Sequence, residues 1–300
     1  MSEEKPQNLD KVTGFGALNW DILCRTKRLA EQGEEISLKN IYEAPGGSAA
    51  NTISWMADYL ENLSYVGAVG EDSRGERITK KMRQKGIDTS NILIKDNDST
   101  GTAISILDSD NERTLYTFGG AGSSFSKNEI NFQHFKKSDL IHTSSFLSKH
   151  LLEVQKDISE LNNVFSFAPG LLCKKFGLKD LKKILENTNI LFINKLELSH
   201  LFGNKSIEKS IEKLIELGVG EVSITLGSNG VLVSDGSKLI KEKSRSEKVR
   251  DTTGAGDAYS AGYLVAYIDQ KNLRKKAKMG VNVAKRCIKK LGGSDYGQSP

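Results

Sequence analysis

Residues 251–257 read Asp-Thr-Thr-Gly-Ala-Gly-Asp, a glycine-rich turn that runs straight into an apolar helical pattern beginning at Ala258. The first turn of a helix carries backbone N–H groups without intrahelical partners, and the positive end of the helix dipole lies among them. That arrangement is a cradle for an anion. Gly254, Ala255 and Gly256 would supply its backbone, and Asp257 would stand at its mouth. A carboxylate where a phosphate should bind suits a base that takes a proton from an incoming hydroxyl. The plainer alternative is that Asp257 caps the helix and the glycines merely turn the chain.

Three further strings could carry chemistry. Pro45-Gly-Gly-Ser-Ala-Ala-Asn-Thr52 opens a helical pattern; Gly46 and Gly47 allow a small molecule close to the backbone, and Asn51 offers both donor and acceptor. An ordinary helix entry would read the same way. Asn194-Lys-Leu-Glu197 has the spacing of a helix N-cap pair. Thr225-Leu-Gly-Ser-Asn-Gly230 is a strand end entering a glycine-rich turn. Other chemistries find no support: His134, His142, His150 and His200 lack metal-ligand spacing, and neither a Gly-x-Ser-x-Gly elbow nor a Gly-x-x-x-x-Gly-Lys-Ser/Thr loop is present. Gly14-Phe15-Gly16 has no glycine three residues later and is not a dinucleotide fingerprint.

These strings, in this order, resemble the signatures of the ribokinase/phosphofructokinase-B family of sugar and nucleoside kinases, from about Val12 to Gly293. The resemblance implies an α/β, ribokinase-like domain: a mostly parallel central sheet with helices on both faces, and a small β lid that often doubles as a dimer contact. It implies ATP-dependent phosphorylation of a sugar hydroxymethyl group, with Asp257 as base and the amides of residues 255–257 neutralising the transferred group. Asn19 and Asp21, in Gly16-Ala-Leu-Asn-Trp-Asp21, fall where ribokinase-like members hold sugar hydroxyls, alongside Gly46, Gly47 and Asn51. Asn194 and Glu197 match an Asn-x-x-Glu motif that helps place Mg2+ and phosphate, mainly through water. Thr225, Gly227 and Gly230 match a nucleotide-lining turn, Asn282 matches a position bordering the adenine, and Asp251 and Thr253 resemble residues that hold a monovalent cation such as K+.

The match is not uniform. Ribokinases proper tend to carry lysine where this chain has Ser48, and Gly47-Ser48 with Asn51 is equally reminiscent of adenosine-kinase-like members. A nucleoside kinase therefore stands as the alternative, and a non-catalytic sugar- or nucleotide-binding regulator as a second. The chain also stops at Pro300, without the final helix of many relatives.

The elements needed to position these residues are legible as alternating apolar runs and helical patterns over one domain spanning 1–300. Strands are expected at Val12–Ala17, Ser64–Val69, Asp139–His142, Val164–Phe167, Ile190–Ile193, Val222–Leu226 and Val231–Ser234, with a strand-like stretch at Lys238–Val249. Helices are expected at Ala49–Glu61 (closed by a left-handed Asn62), Arg74–Lys85, Leu151–Leu161, Leu178–Glu186, Ile207–Leu217 and Ala258–Asp269. Ser126-Lys-Asn-Glu129 has capping-box spacing. Residues 36–44 and 102–118 alternate with period two, the latter folded at Asp108–Asn111, and belong to the lid.

Bulk properties fit this reading. The 300 residues are 37% hydrophobic and 27% charged, with net charge +5, ordinary for a globular domain. Cys24, Cys173 and Cys287 are scattered, as in a reducing compartment. With no membrane-length apolar run and a polar Met1–Asp10, the expected location is cytoplasmic. Basic residues crowd 271–290 without local acidic relief, which reads as a solvated helix face rather than a nucleic-acid site.

Overall fold

Short apolar runs separated by amphipathic helices fold as the pattern dictates, into strands whose both faces are covered. The computed structural model describes residues 9–110, 112–244 and 249–294. The first half of the chain contains β1 (Val12–Phe15), β2 (Asn19–Arg25), β3 (Asn40–Gly46), α1 (Ser48–Met56), β4 (Leu63–Gly70), α2 (Ser73–Gln84), β5 (Asp88–Lys95), β6 (Gly101–Leu107), β7 (Arg113–Phe118), α3 (Ala121–Ser124), α4 (Phe132–Lys136) and β8 (Leu140–Ser144). The second contains α5 (Lys149–Ser159), β9 (Val164–Ala168), α6 (Leu172–Lys175), α7 (Gly177–Glu186), β10 (Ile190–Asn194), α8 (Lys195–Phe202), α9 (Ile207–Glu216), β11 (Glu221–Thr225), β12 (Val231–Ser234), β13 (Leu239–Glu242), α10 (Ala255–Ile268) and α11 (Leu273–Cys287).

Nine strands form the main sheet in the order β13-β12-β11-β10-β9-β8-β1-β4-β5. Pairing is parallel from β5 to β11 and antiparallel at β12 and β13. Successive strand residues feed opposite cores: Leu140 and Ile190 face Trp55, Tyr259 and Val281, whereas Ile141 and Leu191 face Leu152, Leu181 and Leu214. Such two-sided burial explains why these strands read as continuous apolar runs rather than as alternating ones. Most active candidates sit at the carboxyl ends of the strands, where α1, α8 and α10 begin.

The second sheet has four strands in the order β3-β2-β6-β7. Its extent differs from the sequence expectation. Residues 36–39 precede the strand that starts at Asn40, and β2, with Asn19 and Asp21 on it, is a full member that pairs in parallel with β6. β2 is hard to read from the sequence because Asn19, Asp21 and Arg25 interrupt its apolar residues and only Gly16, Ala17 and Leu18 separate it from β1. The edge strand β5 was missed for a similar reason: it is largely exposed on one side. α1 ends at Met56, not Glu61, and Asn62 is not left-handed, since Gln270 alone among the described non-glycine residues has positive φ. A turn in which Tyr59 and Leu60 donate to the Met56 carbonyl closes the helix instead. Ser126–Glu129 does form its capping box, on a single 3-10 turn. Asn111 of the β6–β7 turn and 245–248 of the expected stretch at Lys238–Val249 lie outside the described residues.

α10 and α11 set the depth of the Asp257 turn. Gly262 and Gly280 let them touch: a Cβ on Gly262 would come within 2.7 Å of the Met279 carbonyl oxygen. The basic run on α11 finds acidic partners from distant segments. Arg286 donates to Asp58 at 2.7 Å and Lys276, 7% exposed, pairs with Glu221, which also accepts from the Tyr263 hydroxyl at 2.7 Å. Removing one partner of a buried pair strands the other charge, at a cost on the order of 3 kcal/mol. Lys276→Ala should therefore lower the denaturant midpoint clearly, and the double change Lys276→Met with Glu221→Gln should recover most of the loss. Equal losses in the two variants, read by urea titration, would show that the ion pair is not what holds α11.

Candidate active site

Two helices from opposite ends of the chain bring their first turns together. α1 starts after Gly47, whose φ of 110° and 2.1 Å approach to the Ala17 carbonyl oxygen (from a notional Cβ) leave no alternative to glycine. α10 starts after Gly254, at φ 72°, against the backbone of Gly293. Across this junction the Asp257 carboxylate accepts from Ser48 Oγ at 2.6 Å and from Asn51 Nδ2 at 2.8 Å. Burial pushes its pKa up to about 6, while the two donated hydrogen bonds hold it down. The group is thus poised to exchange a proton near neutral pH.

The amides around it divide. Ala255 N–H donates to the Thr252 carbonyl at 3.2 Å, so it is engaged in the turn and not offered to an anion. Those of Gly256 and Asp257 have no partner among the described residues, and the space beside Gly256 is open to at least 4 Å. The cradle is therefore narrower than the sequence suggested.

Asp21 approaches from β2. A Cβ on Gly46 would land 2.2 Å from its carboxyl, so that glycine exists to admit the side chain. Burial and, next, the charge of Asp257 push Asp21 up to about 7, with Arg113 opposing. Asn19 Oδ1 lies against Gly101 in the same sheet. Asn51, expected to meet substrate with both ends, spends its amide nitrogen on Asp257; its Oδ1 is buried without a protein partner.

Asn194 and Glu197 cap α8 reciprocally. Glu197 N–H donates to Asn194 Oδ1 at 2.8 Å, and Asn194 returns its own N–H to Oε2 at 3.1 Å and Nδ2 to Oε1 at 2.6 Å. Burial raises the Glu197 pKa, and Asp257 adds to the rise, so the two carboxylates share one field. In-register pairing sets Thr225 beside Asn194. Both line a cavity of about 410 Å³ with Gly227, Asn229 and Lys241. A second, about 360 Å³, lies on the other side of β13 and is lined by Asn282 with Lys243, Arg274, Lys278 and Lys285. Gly230 lines neither: its φ of 87° and contact with the Glu242 carbonyl make it a turn residue. Asp257 lines neither as well, and reaches this end of the site through Glu197.

Both oxygens of Asp251 are engaged, Oδ1 by Thr253 N–H and Oδ2 by Gly292 N–H, each at 2.9 Å, and the Thr253 carbonyl accepts from Cys287 Sγ. These bonds tie the loop before α10 to the C-terminal segment and take one lone pair on each Asp251 oxygen, which leaves the others available to a cation. That segment is the feature the sequence reading missed. Gly292 lies against Tyr42 of β3, the Gly293 carbonyl accepts from Trp55 Nε1 at 3.0 Å, and Ser294 Oγ donates to the Pro45 carbonyl. The Gly292-Gly293 pair was the available signal. Ser48 was noticed only as a departure; the structure makes it a partner of Asp257.

The model of the pfkB family of carbohydrate kinases matches residues 9–298. The chain belongs to that family. It is 34% identical over 235 residues to an uncharacterized sugar kinase of Archaeoglobus fulgidus, covering 77% of this chain and 93% of the relative. An ATP-dependent ribose-1-phosphate kinase of Halopiger xanaduensis is 25% identical over 86% of this chain and 85% of its own length. Arabidopsis thaliana ribokinase, solved with ribose and ATP, superposes with a TM-score of 0.80 at 25% identity, covering 94% of each chain. The fold class and the kinase assignment read from the sequence are thereby established.

In this kinase no group of three His, Cys, Asp or Glu side chains is arranged to hold a metal among the described residues. Glu197 already accepts a hydrogen bond on each oxygen, which leaves lone pairs for the waters of a hydrated cation rather than a direct ligand set. Asp21 and Asp257 both keep their protons to higher pH than the usual 3.8. Their stabilising effect is complete below about pH 4 and is lost as pH rises through about 6 and then about 7. The ligand-free melting midpoint should therefore fall between pH 5 and pH 8, and Asp21→Asn should raise it by a few degrees at pH 8 and little at pH 5. An equal shift at both pH values in a thermal melt would rule out the buried charge as the cause.

Proposed function

We propose that this kinase transfers the γ-phosphoryl group of ATP to a hydroxymethyl group of a sugar, with Asp257 as the base. The observation that carries the reading is the ionisable Asp257 carboxylate in the first turn of α10, beside the Gly256 and Asp257 amides, which have no partner among the described residues. The sugar would be gripped by Asp21 and Asn19 and pressed to the backbone at Gly46 and Gly47. Its hydroxyl would give its proton to Asp257 as it attacks phosphorus in line, while the bond from phosphorus to the ADP oxygen breaks. The Gly256 and Asp257 amides would neutralise charge growing on the transferred group, each contributing ~3–4 kcal/mol in a water-poor site. Thr225 and Gly227 would border the phosphates and Asn282 the base. Mg2+, when bound near Asn194 and Glu197, would shield the phosphate charge.

The nucleoside alternative keeps the same chemistry. It draws support from Ser48, which here engages Asp257 where ribokinases proper tend to carry lysine. The small sheet acts as a lid in either case. Its outer face exposes Ile41, Tyr116 and Phe118, at 60%, 58% and 57%, and we place a homodimer contact there. Sedimentation should give a dimer that the double change Tyr116→Lys and Phe118→Lys converts to monomer. No described helix is long and apolar enough to cross a membrane.

Asp257→Asn should lower kcat about 10³-fold while leaving nucleotide binding near normal, as read by calorimetry. Wild-type kcat/KM should fall on the acid side of about pH 6. Ser48→Ala removes a bond that favours the carboxylate, so it should move that acid limb to higher pH. Retention of most activity by Asp257→Asn would show that another group is the base.

A further inference from the structure

The small sheet turns one face toward the site, and its register sorts that face into rows. The row against Gly46 holds Asp21 with Ala103. Two residues further along lie Leu23, Ser105 and Leu115, and two further still Arg25, Leu107 and Arg113. Period-two alternation puts all three rows on the same side. At Cα level Arg113 is displaced from Asp21 by ~13 Å along the strands and ~10 Å across them. Its charge is nevertheless felt at the Asp21 carboxyl, where it opposes the upward push of burial and of Asp257. Arg113 and Arg25 thus stand on the face of the sheet that carries Asp21, at the far end of its rows. Neither Arg113 nor Arg25 makes a side-chain hydrogen bond or ion pair among the described residues. In the nearby turn Asp108 Oδ1 accepts from the amides of Asp110 and Glu112.

A neutral sugar has hydroxyls for Asp21 and Asn19 but nothing for two free guanidiniums. A nucleobase would want an open aromatic platform; Tyr116 and Phe118 belong to the opposite face, and Tyr42, the aromatic residue paired with Leu23 on this one, is packed on Gly292. A phosphate is what a planar guanidinium fork fits. Resting on the kinase reading above, we infer that Arg113, with Arg25 behind it, selects a sugar that already carries a phosphate on the carbon remote from the acceptor hydroxymethyl group. The reaction balances simply. The acceptor oxygen bonds to the γ-phosphorus, the bond to ADP breaks, the proton goes to Asp257, and the product is a sugar bisphosphate.

The test compares ribose 1-phosphate, ribose, adenosine and guanosine as acceptors with ATP, in wild type, Arg113→Ala and Arg113→Lys. Wild type should prefer ribose 1-phosphate over ribose by at least about a hundredfold in kcat/KM. Arg113→Ala should collapse that ratio by about a hundredfold, chiefly through KM, with Arg113→Lys between the two. Better turnover of ribose or a nucleoside by wild type, or a loss in Arg113→Ala that is equal for ribose 1-phosphate and ribose, overturns the inference and leaves the kinase reading standing. Absence of turnover with every acceptor, in protein that binds ATP, overturns the kinase reading and this inference with it.

Discussion

The site depends on keeping one carboxylate ionisable in a place that disfavours its charge. Asp257 is pushed up by burial and held down by Ser48 and Asn51. Neither donor could reach it if α1 and α10 did not begin within hydrogen-bond distance of each other. That closeness is bought with side chains left out: Gly47 against the Ala17 carbonyl, Gly254 against Gly293, and Gly293 against Asn51. A methyl group at any of these would force the helix starts apart. The α10–α11 contact through Gly262 and Gly280 fixes the same junction from behind.

A second consequence follows from charge. Asp21, Asp257 and Glu197 all have raised pKa values, and the charge of Asp257 contributes at both of the others. Three acids in one desolvated region repel, so the ligand-free protein holds energy that hydroxyl donors and a hydrated cation would relieve. Binding is then coupled to stability in a definite direction: ligand should stabilise more than its contacts alone suggest. The same arrangement explains why a site of this kind costs the fold stability that a neutral replacement would restore.

Much of this was legible in the chain. The heptapeptide 251–257, the strands with continuous apolar runs and the Asn194–Glu197 cap were readable because each rests on local chemistry: a turn, a buried strand, a spacing of three. What was not readable depends on contacts between distant segments. The Ser48–Asp257 bond joins residues 209 apart in sequence, and no local pattern announces it. Gly292-Gly293 looks like a tail until Trp55, Tyr42 and Asp251 are seen around it. β2 hid because a short strand in a two-sided small sheet need not be apolar throughout. Gly230 has a positive φ that calls for glycine at its turn whether or not a nucleotide lies beside it.

The small sheet is more than a cover. Only Gly16, Ala17 and Leu18 separate β1 of the main sheet from β2, and β2 carries Asp21. Any movement of the sheet about that joint must therefore move a residue that shares its field with Asp257. Its outer face is also held: Arg77 stacks on Trp20 at 4.6 Å, Trp20 donates to Glu43 at 2.6 Å, and Arg74 reaches Thr102. Both arginines come from α2, which packs on the main sheet. With the root of β2 and its back face both anchored, bending is confined to the far rows, where Arg25 and Arg113 stand. The end that carries Asp21 is thus tied to the main sheet and to α2, whereas Arg25 and Arg113 stand at the end remote from both anchors.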